Sequence, residues 1–182
     1  MLSSTPSFYR MGQIWKTPKG QFFKDLRLGF LLWFFAFPTM NFIGQLADIA
    51  TYALFHIESF EQSAAHYLKQ TMTEPFPLFT ALLIILFIGP FLEEFLFRGL
   101  LQNWIKTKLG KIASILITAF CFALLHVTKG QGFGNISLVA ALFSLGCFLG
   151  FLYEKQRSLW APLALHISVN FTSAVHLVFF SP

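Results

Sequence analysis

The placement of charge constrains this chain more than any other feature. Five stretches contain no Asp, Glu, Lys or Arg: Leu28 to Ala47, Pro75 to Leu92, Ile112 to Thr128, Gly130 to Tyr153 and Ser158 to Pro182. A helix rising ~1.5 Å per residue needs about 20 residues to cross a ~30 Å hydrocarbon layer, and each stretch approaches or exceeds that length. The runs are continuous Leu, Phe, Ile, Ala and Val rather than alternating, which does not fit a transmembrane barrel. Composition agrees: 55% of the residues are hydrophobic and 12% charged, against roughly 25% charged in soluble domains. The expected fold is all-α, a polytopic transmembrane helix bundle of about five spans without an independent soluble domain. The first run starts only near Leu28 and lacks a small-x-small cleavage site, so it reads as a retained span rather than a signal peptide.

The basic residues set an orientation. Arg10, Lys16, Lys19, Lys24 and Arg27 precede the first run, Lys106, Lys108 and Lys111 separate the second from the third, and Lys155 and Arg157 separate the fourth from the fifth. These ten share one side of a five-span arrangement, whereas Lys69 and Lys129 fall on the other. The positive-inside rule then predicts a cytoplasmic N-terminus. Residues 1–27 form a cytoplasmic or interfacial segment, in which Phe8, Tyr9, Trp15, Phe22 and Phe23 among basic residues suit an anionic membrane surface. Residues 28–182 form a single transmembrane domain, and the half-apolar region 48–74 reads as an interfacial helix. The formal charge of +5 has no basic stripe interleaved with aromatics in an aqueous segment, so no nucleic-acid partner is expected. Cys121 and Cys147 lie within predicted spans, where small thiols pack without forming a disulfide.

Several residues are out of place in a membrane. Glu93, Glu94 and Arg98 put three ionisable groups within six positions at the end of the second run. On insertion scales three central charges cost roughly 8–10 kcal/mol, while the flanking Leu, Ile and Phe offset only about 3–6 kcal/mol, so something must neutralise or require them. Glu94 and Arg98 stand at i and i+4, the spacing of a helical ion pair. Glu93 is rotated by about 100° from Glu94 and has no such partner. His126 lies near the end of the third run, one turn after Phe122, and the fifth run carries His166 and Asn170 at i and i+4. Counting ~1.5 Å per residue from the cytoplasmic loops puts Glu93 about 18 Å deep, His126 about 22, His166 about 12 and Asn170 about 18. Three helices therefore deliver a carboxylate, two imidazoles and an amide to one layer.

Such a set can hydrolyse an amide. Glu93 and His126 can bind and deprotonate a water, and His166 with Asn170 can donate to the tetrahedral oxyanion. The same Glu93, His126 and His166 can instead ligate one divalent metal, zinc by ligand type, that activates the water. The expectation leans to no required cofactor and no metal. HExxH, GxSG and paired-aspartate GxGD signatures are absent from the sequence, which excludes the other intramembrane protease patterns. A proton-coupled transporter would also carry intramembrane carboxylates and histidines, but the chain shows no repeats of the kind such transporters are built from.

The trio Glu93-Glu94-x-x-x-Arg98, Phe122-x-x-x-His126 and His166-x-x-x-Asn170, in that order on successive helices, resembles the three motifs of the CPBP family. That family groups the type II CAAX prenyl endopeptidases with bacteriocin-processing and self-immunity proteins, also called Abi proteins. The resemblance covers about residues 78–180. It implies an intramembrane glutamate-dependent endopeptidase, historically called a metalloprotease. Glu93, His126, His166 and Asn170 would be catalytic, and Glu94, Arg98 and Phe122 supporting. It further implies a peptide or protein substrate reached from the membrane or the cytoplasm, a lipid bilayer as setting, and the plasma (inner) membrane of a prokaryote; oligomeric state is left open. A non-proteolytic immunity or scaffold protein binding a bacteriocin-like peptide is the alternative within the same resemblance. The chain departs from larger prenyl endopeptidases in having one candidate span before the motif core.

Overall fold

The computed structural model describes residues 21–57 and 63–180, and among these there is no strand. Helix α1 is Gln21–Phe55 and α2 is Ser63–Thr71. A continuous helical run then begins as α3, Pro75–Leu83, passes through a π-helical stretch Ile84–Ile88 into α4, Gly89–Glu94, and through a second π stretch Phe95–Gln102 into α5, Asn103–Leu125. After a short 3₁₀ turn at Gly132–Asn135 come α6, Ile136–Gln156, and α7, Trp160–Phe180. Most of the predicted segment 1–27 lies outside the described residues; Gln21 to Arg27 form the opening turns of α1. Of the predicted interfacial region 48–74, Asp48 to Phe55 extend α1, and α2 seals Leu68 against Ala81, Leu86 and Ala174.

Four helices are long and apolar enough to cross a membrane: Gln21–Phe55, Pro75–Leu125, Gly132–Gln156 and Trp160–Phe180. The second has 51 residues, about 75 Å at helical rise and too long for one crossing. It turns back at Gly110, whose φ of 81° and ψ of −179° lie outside the helical region, a conformation that suits glycine. The two limbs meet face to face. Phe97 stacks edge-on against Phe122 at 5.5 Å between centroids, and a Cβ on Gly150 would touch both Gln102 and Ile115. The second and third predicted spans are therefore the two limbs of one helical hairpin, which is why five charge-free runs appear as four long helices.

Side-chain size decides how closely the helices approach. On α1, Gly29 rests on the backbone of α7 at Ala161 and Leu165, and Gly44 lies against Ala141 of α6. On α6, Gly146 abuts Ala119 of α5. Small residues at four-residue spacing let membrane helices come close enough for dispersion contacts that lipid cannot match. The resulting core contains Phe122, Leu145, Leu149, Leu152 and Leu165 with Ala36 and Met40 of α1. Large apolar side chains such as Phe35, Phe42, Phe87, Ile112 and Phe179 point outward, the inversion expected when the solvent is lipid. Both cysteines are free thiols.

Candidate active site

The site forms where the second predicted span, α5 and α7 converge. Glu93 Oε2 lies 3.6 Å from His166 Nε2 and 4.0 Å from His126 Nε2. The carboxylate and both imidazoles, delivered by three different helices, thus share one small space. Glu93 and His126 keep partial access, with 25% and 29% of their side chains exposed, whereas His166 is nearly closed off at 4%.

Each imidazole is held by its other nitrogen. His126 is the C-cap residue of α5, and its Nδ1 lies 2.9 Å from the Phe122 carbonyl one turn back. A carbonyl only accepts, so Nδ1 carries the proton and, in the neutral ring, Nε2 presents a lone pair toward Glu93. His166 Nδ1 lies 2.8 Å from Glu94 Oε1, so that nitrogen too is a donor. The gaps of 3.6 and 4.0 Å to Glu93 exceed direct hydrogen bonds.

Glu94 is the hub behind this arrangement. Its Oε1 also accepts from Arg98 Nη1 at 3.1 Å, and both side chains are completely buried. Arg98 in turn donates from Nη2 to the Gly146 carbonyl at 3.3 Å and lies 4.8 Å over the Phe122 ring. Phe122 also contacts His126 at 4.9 Å and His166 at 5.7 Å between ring centroids. One aromatic ring thereby spaces the guanidinium from both imidazoles. Glu93 and Glu94 thus approach opposite nitrogens of His166, on a short helical stretch, Gly89–Glu94, flanked by two π turns; such turns recur at functional sites.

Asn170, one turn beyond His166 on α7, is differently engaged. Its Nδ2 donates to the Ile85 carbonyl at 2.9 Å, which leaves one amide N–H for another acceptor. Sequence reasoning missed that bond, and it read Glu94 as a partner of Arg98 alone. It also missed the continuation of the same stripe: Gln102 Nε2 donates to the Gly150 carbonyl at 3.1 Å, and Lys106 pairs with Glu154 at 2.6 Å. The signal was present, since 94, 98, 102 and 106 are spaced by four, as are 146, 150 and 154. Among the described residues no group of three or more His, Cys, Asp or Glu is spaced to hold a metal ion.

Fold and site together define an integral, multi-pass membrane protein with a partly accessible polar centre among its helices. The family description "Type II CAAX prenyl endopeptidase Rce1-like" matches residues 75–172, more than half of the chain. The chain belongs to this Rce1-like family. It is also 24% identical over 83 residues, 46% of this chain and 31% of the relative, to the "Putative membrane peptidase YdiL" of Bacillus subtilis (strain 168). The match thus spans about a third of the length of that curated relative. No solved structure matches the chain. Family and relative alike point to a peptidase, and the matched residues contain all three polar motifs.

Proposed function

We propose that the chain is an intramembrane endopeptidase in which Glu93 is the general base. The observation that carries this reading is the convergence of Glu93 Oε2 on two imidazole Nε2 atoms at 3.6 and 4.0 Å. A water between Glu93 and His126 gives one proton to the carboxylate and one hydrogen bond to the His126 lone pair. Its oxygen attacks the peptide carbonyl. The oxyanion is met by His166, oriented from behind by Glu94, and by the remaining Asn170 N–H. Glu93 then passes its proton to the departing amine as the C–N bond breaks, which returns the carboxylate. The substrate is a peptide or protein arriving from the membrane or the cytoplasm, in the plasma membrane of a prokaryote. Conversion of Glu93 to Gln keeps the shape and removes the base. Cleavage of a peptide library by detergent-purified protein should fall at least 100-fold, the lower end of general-base effects, with folding unchanged. Near-normal cleavage by folded Glu93→Gln would return this carboxylate to a structural role.

We read this activation as requiring no metal. The rival reading is one zinc ion at Glu93, His126 and His166, whose residue types suit zinc and whose His166 is braced by Glu94, although the three groups as they stand are not spaced to hold an ion. Zinc there would lower the pKa of a bound water. Metal analysis of active protein decides between them. Activity that survives a chelator supports the metal-free reading, and stoichiometric zinc with loss on chelation and recovery on zinc addition reverses it.

A further inference from the structure

The Ile85 carbonyl has an unusual history within its own helix. In the π stretch Ile84–Ile88 the Gly89 N–H reaches back to the Ile84 carbonyl, so it does not serve Ile85. The next donor in that register would be residue 90, and residue 90 is proline, which has no N–H. In hydrocarbon no water can take over, and freed backbone groups must be satisfied by neighbouring helices. Asn170, from α7, does so at 2.9 Å. Gly89 gives the turn no slack, because a Cβ there would sit 3.1 Å from the Ile84 carbonyl oxygen.

We propose that Pro90 is a positioning residue. By denying the Ile85 carbonyl its helical donor, it creates the acceptor that anchors the Asn170 carboxamide and fixes the direction of its second N–H. The same bond ties α7, which carries His166, to the segment that carries Glu93. The catalytic half of this proposal rests on the peptidase reading; the pairing of Pro90 with Asn170 does not.

The test is a double-mutant cycle on the full chain in detergent, with wild type, Pro90→Ala, Asn170→Ala and the double variant compared by thermal unfolding and by kcat and KM on a cleaved peptide. Asn170→Ala should lower Tm by about 2–4 °C in the wild type and by less than half as much beside Ala at position 90, whose N–H can take the carbonyl. Pro90→Ala alone should stay folded and lose at least about tenfold in kcat with KM within about twofold, since one oxyanion donor is misaimed. Additive Tm shifts, or wild-type kcat in Pro90→Ala, would overturn the proposal. If Asn170→Ala alone does not accumulate folded, its recovery in the double variant supports the pairing and its non-recovery overturns it. Coupled Tm shifts in a protein that cleaves no peptide keep the pairing and remove the oxyanion role.

Discussion

At the scale of the residue, adjacent glutamates do opposite work because their surroundings differ. Glu94 is fully buried between Arg98 and His166, whereas Glu93 faces a partly open space. Removing one member of a buried charge pair strands the other and destabilises by about 3–5 kcal/mol. Arg98→Ala and Glu94→Gln are therefore expected to lower yield and Tm, as read by fluorescence-detected gel filtration and thermal unfolding, while Glu93→Gln leaves both near wild type. Equal stability losses for Glu93→Gln and Glu94→Gln would contradict this division. The spacing of Glu94 and Arg98 was legible in the sequence, since i and i+4 positions meet on any helix. The His166 contact was not, because nothing local says which face of α7 turns toward the second predicted span.

At the scale of the element, packing depends on glycines as much as on the apolar runs. A Cβ on Gly29 would overlap the Ala161 carbonyl oxygen and the Leu165 nitrogen, which are backbone atoms that cannot rotate away. Gly29→Val should separate α1 from α7, with a loss of at least about 2 kcal/mol by overpacking and strain; wild-type Tm in that variant would show the contact to be looser than described. The ion pair of Lys106 and Glu154 makes a useful contrast. Lys106 is 26% exposed, so Lys106→Met should cost less than Arg98→Ala, and a reversed order of Tm shifts would overturn that ranking. The π stretches were not legible, because hydrophobic periodicity in an all-apolar run cannot distinguish 3.6 from wider turns, although Pro90 marks where the ladder breaks.

At the scale of the whole molecule, the ten-to-two bias of loop basics predicts that the loop joining α6 and α7 faces the cytoplasm and the loop joining α5 and α6 faces out. Lys155, in the last turn of α6 before the first loop, and Lys129, within the second, are exposed, whereas Ser158 is buried and a poor reporter. In a chain with Cys121 and Cys147 replaced by alanine, Lys129→Cys should react with an impermeant thiol reagent in intact cells and Lys155→Cys should not. The reverse labelling pattern would invert the topology.

The sequence by itself determined the solvent and the class of the fold, because insertion energetics sum along the chain residue by residue and need no partner. It also led to the expectation of Glu93, His126 and His166 at similar depth, since helical rise converts spacing into depth, and these three do meet. Only the tertiary structure decided rotation: which faces of α5, α7 and the motif-bearing helix meet, that Glu94 braces His166, that Asn170 holds the Ile85 carbonyl, and that the 51-residue helix doubles back at Gly110. In lipid every face of an apolar helix is equally acceptable to the solvent. The facing surfaces are chosen by glycine contacts and buried polar bonds between residues distant in sequence, and those appear only when the helices are packed.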